Sequence, residues 1–314
     1  MQVRQSPEVR AGSCLACGRQ QGRTILRLGS YTIRQCSRCL LAWTVGPAVA
    51  PSDLYGESYF TDPDTPAGYD DYFVAAAATV WTHRKRLRRL RRLAPAANTL
   101  LDVGCGPGFF LREAGRSGLR SRGLDVSDFA ARYGRERLDQ DIRTGPLDAS
   151  QLRPLGGPFD LITMWDTLEH LPHPDEALLE LADRLQPEGV LSLSTGDVAS
   201  VAARLSGRFW HLFRVPEHLW FFSLPALRRL LKRAGLEVVR VEREVGWYTA
   251  HYLVERLASS LGHRTPRVPG GRVLHRLVVP LTLWDIVTVH ARHRSGVRRV
   301  SPLRPATGGT PPCD

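Results

Sequence analysis

The sequence has few cysteines, no apolar leader and no long hydrophobic run, and each shortage excludes a class of protein. Six cysteines among 314 residues are too few for a disulfide-stabilised scaffold. The chain opens with MQVRQSPEVR, which lacks the apolar stretch of a secretory signal. Pro280 and Asp285 interrupt the most apolar late segment, so no run reaches the length of a membrane span. Hydrophobic residues make up 43% of the chain, an ordinary globular value. We therefore expect a soluble, cytoplasmic protein with no membrane partner.

The net charge of +12 comes from two segments. Residues 84–92 carry seven positive charges and no negative one, and residues 263–314 carry nine arginines and two aspartates. Such clusters can bind nucleic acid or an anionic substrate. They are also typical of a solvated helix face and a loose basic tail, which is the interpretation that we favour.

Changes in composition divide the chain into four parts. Proline and glycine separate a cysteine-bearing start from a long amphipathic helix, and the end is rich in arginine, proline and glycine. We predict a zinc-ribbon-like cysteine unit at 1–45, a linker and amphipathic helix at 46–95, a main domain at 96–294 and a disordered basic tail at 295–314. The core of the main domain is expected to be separate from the cysteine unit.

Short apolar runs alternate with amphipathic stretches from residue 98 onward. Repeated alternation of this kind predicts an α/β fold, with a mostly parallel sheet covered by helices on both faces. The predicted strands are 98–103, 121–126, 159–165, 189–195, 236–242 and 284–292. The predicted helices are 70–93, 109–117, 127–138, 175–185 and 225–234.

A glycine-rich loop follows the first of these strands in LLDVGCGPGF, residues 100–109. Gly104, Gly106 and Gly108 permit a tight turn and a close approach of the backbone to a ligand. The third glycine of the dinucleotide fingerprint is replaced by Phe109. Asp102 at the strand end would repel a pyrophosphate and would attract a ligand that carries an ammonium and a sulfonium group.

Several motifs in this order resemble the class I S-adenosylmethionine-dependent methyltransferases, in the branch of the ubiquinone-biosynthesis O-methyltransferases. The resemblance covers residues 98–292 and includes LLDVGCGPG, FDLITMWDTLEHLPHP and EHLWFFSLPALRRLLKRAGLEVV. It implies a Rossmann-like sheet of seven strands and S-adenosyl-L-methionine as cofactor. It also implies that Asp125 binds the ribose hydroxyls, that Leu147 and Asp148 contact the adenine edge, and that Trp165 and Asp166 face the cofactor. The full predicted cofactor set is Asp102, Gly104, Cys105, Gly106, Gly108, Asp125, Val126, Leu147, Asp148, Trp165 and Asp166.

Two C-x2-C pairs precede this domain. Cys14 and Cys17 form the first pair, and Cys36 and Cys39 form the second. Four thiolates at this spacing can close a tetrahedral zinc site, and a unit of this size needs such a stabiliser. The spacing predicts a structural zinc ribbon with no open coordination position.

An aromatic insert at 196–224 follows the fifth main strand and is predicted to be a substrate lid, or in part a satellite core. Tyr55, Tyr59, Phe60, Tyr69 and Tyr72 are candidates to close the pocket from the other side. Zinc-bearing relatives that methylate deoxysugar carbons carry a Glu-His pair at this point in the chain, and here the pair is Glu217 and His218. We predict His218 as a general base with a pKa near neutral, Glu217 as an acceptor-binding group or structural partner, and His170 as the next candidate. The alternative is that His218 only bonds a backbone carbonyl of the insert.

The expected reaction is O- or C-methylation of a small molecule, of the secondary-metabolite, sugar or quinone-type class. The tetrapeptide typical of nucleobase amine methylation is absent after the fourth strand, where Trp165-Asp166-Thr167-Leu168 stands instead. One alternative is a methyltransferase of rRNA or tRNA, which would hold RNA with the zinc unit and the arginine segments. A second alternative is a cofactor-binding module without catalysis.

Overall fold

The computed structural model describes residues 14–20, 22–62, 72–243, 246–249, 278–281 and 284–294. The predicted tail at 295–314, Tyr69 and the side chain of Tyr72 lie outside these described residues. The strands are β1 (Arg23–Leu28), β2 (Tyr31–Gln35), β3 (Ala42–Val45), β4 (Thr99–Val103), β5 (Arg120–Asp125), β6 (Ile142–Thr144), β7 (Phe159–Trp165), β8 (Leu185–Gly196), β9 (Trp220–Phe221), β10 (Leu236–Arg243), β11 (Gly246–Thr249), β12 (Val278–Leu281) and β13 (Ile286–His293). The α-helices are α1 (Pro51–Leu54), α2 (Glu57–Thr61), α3 (Tyr72–Leu93), α4 (Phe109–Arg116), α5 (Asp128–Leu138), α6 (Ala149–Leu152), α7 (Pro174–Asp183), α8 (Val201–Ser206) and α9 (Leu224–Arg233).

A seven-stranded sheet forms the centre of the main domain. Its strands follow the order β10-β13-β8-β7-β4-β5-β6. The pairs from β8 to β6 are parallel, whereas β13 runs antiparallel to both β8 and β10. The predicted α/β fold with a mostly parallel seven-stranded sheet is therefore confirmed.

Alternating side chains divide the sheet between two cores. Leu101 and Val103 of β4 belong to the core on the face that α7 and α9 cover, whereas Leu100 belongs to the core under α3 and α4. On β8, the buried Ser192 and Ser194 alternate with Leu191 and Leu193. This period of two arises because successive side chains of a strand point to opposite faces.

The cysteine unit forms a second sheet, which is antiparallel and has the order β1-β2-β3-β9. Its last strand, β9, comes from the aromatic insert and not from the unit itself. The buried side chains of Cys14, Cys36 and Cys39 belong to the same core as Leu101 and Phe222 of the main domain. The expectation that the unit has a separate core is therefore wrong, because β9 and the shared apolar cluster join it to the domain.

The aromatic insert is folded against the domain over much of its length. Trp210, Trp220, Phe221 and Phe222 are all buried, whereas Phe209 is 70% exposed. The insert thus contains the satellite core that its aromatic content allowed. Among the described residues, no helix combines the length and apolar character that crossing a bilayer requires.

Candidate active site

The candidate site lies at the carboxyl ends of β4, β5 and β7. β4 pairs with β5 on one side and with β7 on the other, so the chain reverses its direction of travel across the sheet at this strand. Open α/β sheets bind ligands in the crevice outside such a reversal.

The loop after β4 requires its glycines. Gly104, Gly106 and Gly108 have φ values of +71°, +53° and +82°, the left-handed region that only glycine adopts easily. A Cβ on Gly104 would also lie 2.3 Å from the hydroxyl oxygen of Thr167. Gly108 begins α4 without a side-chain cap, which leaves the first N–H groups of that helix for a ligand.

Asp125 ends β5 beside this loop. One carboxylate oxygen accepts from the Gly106 N–H at 2.6 Å, and the other accepts from the Ser127 N–H at 2.8 Å. Burial raises the pKa of Asp125, while these two N–H donors oppose that shift. Each oxygen keeps a second lone pair, which a diol can use.

Two predicted cofactor residues lie beneath the loop. Asp102 is 2% exposed and accepts a 2.6 Å hydrogen bond from Thr163, and burial raises its pKa to about 7. Cys105 is buried in the core under α3 and α4, where burial also raises the thiol pKa. Both side chains are therefore buried where β4 passes into the loop.

Three further predicted cofactor residues, two of them expected at the adenine edge, are more open. Val126 is 38% exposed at the end of β5, and Leu147 is half-buried against the main core. Asp148 is exposed, and its carboxylate accepts from both the N–H and the hydroxyl of Ser150. These bonds lower the pKa of Asp148 and hold the start of α6.

A buried arginine from α3 completes this side of the crevice. The guanidinium of Arg86 lies 4.2 Å from the centre of the Trp165 ring, 3.3 Å from the Ser194 hydroxyl and 3.7 Å from the Asp166 carboxylate. Asp166 has φ +52°, an uncommon conformation for a residue other than glycine, and its side chain is about half exposed. Sequence reasoning missed Arg86 because it stands within a run of seven cations. The signal that could have found it is its helical spacing of four residues from the buried Leu90.

The other cations of that run also contact the chain itself. Arg84 pairs with Glu113 at 2.7 Å, Arg89 pairs with Glu242 at 2.5 Å, and Arg91 donates to two backbone carbonyls. The interpretation of residues 84–92 as a solvated face is therefore wrong for Arg86 and Arg89, which are largely buried, whereas Arg84, Arg88 and Arg92 are exposed.

Two histidines meet beside Tyr55. The ring centres of His170 and His218 are 4.7 Å apart. His170 Nδ1 lies 2.9 Å from the Tyr55 hydroxyl and 2.9 Å from the backbone carbonyl of Glu217. The Tyr55 carbonyl in turn accepts from the hydroxyl of Ser127, next to Asp125. Tyr55 thus links the Asp125 end of the crevice to the histidine pair.

The backbone sets the tautomer of His218. Its Nδ1 lies 2.8 Å from the carbonyl of Leu212, and a carbonyl only accepts. Nδ1 therefore carries the proton and Nε2 carries the lone pair, the arrangement that a general base needs.

Burial keeps both imidazoles neutral. It lowers the pKa of His170 to about 4 and the pKa of His218 well below its usual range. The neighbouring Arg214 lowers both further. The expectation of a near-neutral pKa for His218 is therefore wrong, because its side chain is almost fully removed from water. Glu217 is also buried, with Arg214 3.6 Å from its carboxylate.

Glu169 is a further acidic group at this point, which sequence reasoning missed. It is 4% exposed, and burial raises its pKa to about 8, helped by the charge of Asp166. Ligand atoms of Glu169, His170 and His218 lie within 4.8 Å of one another. Glu169 directly precedes His170, so its position in the fourth-strand motif was the available signal.

The four thiols of the cysteine unit converge. Cys14 and Cys39 have their sulfurs 3.4 Å apart, and Cys17 and Cys36 have theirs 3.6 Å apart. These separations are too long for disulfides and close to the sulfur spacing of a tetrahedral thiolate site, in which metal–sulfur bonds are about 2.3 Å. A hydrogen bond from Cys39 lowers the pKa of Cys14 to about 5, which favours one thiolate even without an ion. The geometry fits the predicted metal.

Comparison with known proteins identifies the domain that carries this crevice. A family model described as a methyltransferase domain matches residues 78–241, just over half of the chain. The chain belongs to this methyltransferase family. The resemblance to S-adenosylmethionine-dependent methyltransferases seen in the motifs is thereby confirmed.

Two curated relatives and one solved structure illustrate the similarity. The ubiquinone biosynthesis O-methyltransferase of Xanthomonas axonopodis pv. citri is 30% identical over 158 residues, which are 47% of this chain and 66% of the relative. The tRNA U34 carboxymethyltransferase of Pasteurella multocida is 31% identical over 166 residues, 49% of this chain and 50% of the relative. The chain thus spans less than two thirds of either relative. The magnesium protoporphyrin IX methyltransferase of Synechocystis PCC 6803, solved with SAH, aligns with a TM-score of 0.44 and 16% identity over 69% of this chain and 84% of that one.

Proposed function

We propose that this methyltransferase transfers a methyl group from S-adenosyl-L-methionine to a small molecule, by O- or C-methylation. The observation that carries the proposal is the link made by Tyr55. Its carbonyl binds Ser127 beside the proposed ribose anchor, Asp125, and its hydroxyl reaches His170. One residue thereby joins the cofactor end of the crevice to a pair of neutral imidazoles.

The cofactor would lie along the carboxyl ends of β4, β5 and β7. Asp125 would accept from the ribose diol, and the loop from Gly104 to Gly108 would let the methionine part approach the backbone. Val126 and Leu147 would cover the adenine, with Asp148 at its edge. Arg86 would face the cofactor carboxylate, because a buried guanidinium is the natural partner of such a group.

Cofactor and acceptor must be aligned for an in-line displacement. S-adenosylmethionine supplies an electrophilic methyl carbon, and its sulfur retains the electron pair of the broken bond. The acceptor oxygen or carbon forms the new bond and loses its proton, which Nε2 of His218 would take. His170 would orient the acceptor side together with Tyr55.

The burial of the residues around the proposed base agrees with methylation of a small molecule. His218 and Glu217 are each 7% exposed, and the aromatic insert packs around them. The Xanthomonas relative is named for ubiquinone biosynthesis, and a quinol hydroxyl is an acceptor that a neutral imidazole can deprotonate. We therefore place quinone-type acceptors first, followed by sugars and secondary metabolites.

Methylation of tRNA is the second candidate, and the similarity to a tRNA U34 carboxymethyltransferase favours it. Against it, the α3 cations Arg84, Arg86, Arg89 and Arg91 are all bonded within the chain. RNA binding would therefore depend on other cations.

The four converging thiols would hold one structural zinc. All four positions of a tetrahedral site would then be filled, so the ion would stabilise the unit and take no part in the chemistry.

Transfer of the labelled methyl group decides between these candidates. The protein would be incubated with methyl-labelled S-adenosylmethionine and, separately, with a catechol or quinol, a nucleotide sugar and bulk tRNA. We expect label in the small-molecule arms. Label in tRNA alone would contradict the small-molecule proposal, and cofactor binding without transfer to any acceptor would leave a binding module.

A further inference from the structure

The short strand that follows His218 belongs to the sheet of the cysteine unit. Ala42 and Trp43 of β3 pair with Phe221 and Trp220 of β9. β9 has two residues, so little besides this pairing can hold it as a strand. The proposed base therefore lies two residues before a strand that is added to the sheet of the unit with the four thiols.

Thr44 extends this pairing directly to the base. Its N–H donates to the carbonyl of Leu219 at 2.9 Å, and its hydroxyl donates to the carbonyl of His218 at 2.7 Å. The first contact continues the β3–β9 ladder, and any residue could make it. The second needs a hydroxyl at position 44.

The same segment is bonded to the main domain on its other side. The N–H of Leu219 donates to the Glu169 carbonyl at 2.9 Å, and the Trp220 indole donates to the Leu171 carbonyl at 2.9 Å. The backbone from His218 to Trp220 thus bridges two bodies, and its position depends on both.

The cysteine loop holds β3 at its start. Cys36 donates its N–H to the Leu41 carbonyl at 2.9 Å, and Cys39 lies three residues before Ala42. The hydroxyl of Ser223, just after β9, donates to the Cys39 carbonyl. Because β3 and β9 are antiparallel, the start of β3 and the end of β9 lie together, and a metal that fixes the four sulfurs would fix this end of the pair. Thr44 and His218 lie at the other end, two to three residues away along each strand.

We propose that Thr44 is a positioning residue, through which the cysteine unit fixes the backbone of His218 on the acceptor side of the site. This inference rests on the proposed function of His218 as base. Because the imidazole is also tied to the Leu212 carbonyl, a shift of the His218 backbone changes the direction of its Nε2 lone pair. Asp125 and the glycine loop lie on the other side of the crevice, so cofactor binding does not depend on Thr44.

Three variants separate positioning from general stability. Thr44→Val removes the hydroxyl and keeps the shape, whereas Thr44→Ser keeps the donor. Thr32→Val makes the same change on β2, which pairs with β1 and β3 and not with β9. Thr44→Ala replaces the valine variant if that variant does not fold.

Three quantities are measured on each full-length variant. They are the amide hydrogen exchange of peptides covering 218–221, the SAH affinity by calorimetry, and the turnover with the acceptor that the labelling experiment identifies. For Thr44→Val we expect faster exchange of 218–221, unchanged SAH affinity and kcat lower by about 5- to 50-fold. Thr44→Ser and Thr32→Val should match the wild type within about 2-fold. Removal of zinc by a chelator should speed exchange at 218–221 in the wild type as well.

Unchanged exchange at 218–221 in Thr44→Val would overturn the inference, as would an equal loss of kcat in Thr32→Val. A loss of SAH affinity in Thr44→Val that matches its loss of kcat would also overturn it, because the effect would then not be confined to the acceptor side. If no acceptor is methylated, the proposed function fails, and the exchange data still decide whether Thr44 holds the His218 segment.

Discussion

Asp125 orders the loop of the crevice through two backbone N–H groups, and it is also the proposed ribose anchor. Asp125→Ala removes the acceptor for the ribose diol together with the acceptors for two backbone N–H groups. We expect S-adenosylmethionine affinity to fall by about 1.5–3 kcal/mol, the scale of a lost charged hydrogen bond. Calorimetric titration measures this loss.

The matched control is Asp128→Ala, which removes an exposed carboxylate from the first turn of α5, three residues after Asp125. The affinity of this variant for S-adenosylmethionine should stay within about 2-fold of the wild type. The lost charge at the helix end contributes only about 0.3–1 kcal/mol to stability, so the fold that forms the crevice should persist. Equal affinities in both variants would reduce Asp125 to a support for the start of α5.

His218 should remain a competent base in acid. Its pKa lies well below the ordinary value of 6.5, because burial disfavours the imidazolium. A lowered pKa means that the ring stays neutral to lower pH, so the acid limb of kcat/KM should lie below pH 6.5. His218→Ala should reduce kcat by about 10²–10⁴-fold and abolish that limb, with SAH affinity near wild type.

A pH–rate profile of both proteins checks this expectation. An acid limb at pH 6.5 or above would mean that another group titrates. A near-normal rate in His218→Ala would transfer the role to His170, whose pKa of about 4 also predicts an acid limb well below pH 6.5.

For individual residues of the crevice, the local motifs predicted those at the ends of strands. They did not predict the contacts of residues from more distant parts of the chain. The structure brings Gly104, Gly106 and Asp125 together because each follows a parallel strand, and parallel strands end at one edge of a sheet. Arg86 arrives from a helix that precedes the sheet, and it has no spacing that relates it to the crevice. Tyr55, from a short segment between two helices, was expected as one of five aromatic candidates to close the pocket, but no spacing indicated its bonds to Ser127 and His170.

Helices and strands long enough to show a repeated apolar pattern could be predicted from the sequence, whereas the shortest strands could not. The strands at 159–165 and 236–242 and the helix at 70–93 agree with β7, β10 and α3 within about two residues. β6, with the sequence IRT, and β9, with WF, are too short to show a period of two. The insertion of β13 between β8 and β10 depends on contacts across the sheet, which strand order along the chain does not reveal.

α3 carries the prediction that belongs to this scale. Arg86 lies on the buried stripe of the helix with Leu87 and Leu90, and it pairs with Ser194 and Asp166. Arg86→Met can fill this stripe with a good helix former, so α3 should persist. Loss of the cation should weaken the binding of S-adenosylmethionine by about 10-fold or more, because the carboxylate of the cofactor would lose its proposed buried partner.

Arg88→Met is the matched control on the same helix, since Arg88 is exposed and its guanidinium donates to the carbonyl of Arg84. Calorimetry with SAH compares the two variants. Equal affinities would show that Arg86 serves α3 packing and not the ligand.

At the scale of the whole molecule, the cysteine unit and the methyltransferase domain share one apolar core. Cys14 and Cys39 lie in it with Leu101 and Phe222, and the Arg233 guanidinium donates to the Leu15 carbonyl at 2.5 Å. The sequence could not indicate this union, because it joins residues that are about two hundred positions apart. A ligand that binds only the folded state stabilises everything that unfolds with it.

Removing the metal should therefore destabilise the domain and not the unit alone. Cys39→Ser, or chelation of the wild type, should lower the Tm of a single unfolding transition by about 5–15 °C, since about 1 kcal/mol corresponds to about 2–4 °C in a chain of this order of size. Differential scanning calorimetry measures the Tm, and parallel elemental analysis measures the zinc content.

Cys105→Ala is the matched cysteine control. Its thiol lies in the other core, so this variant should retain one zinc per chain. Two resolved transitions, with the larger one unmoved by metal removal, would contradict the shared core and restore the picture of an independent ribbon.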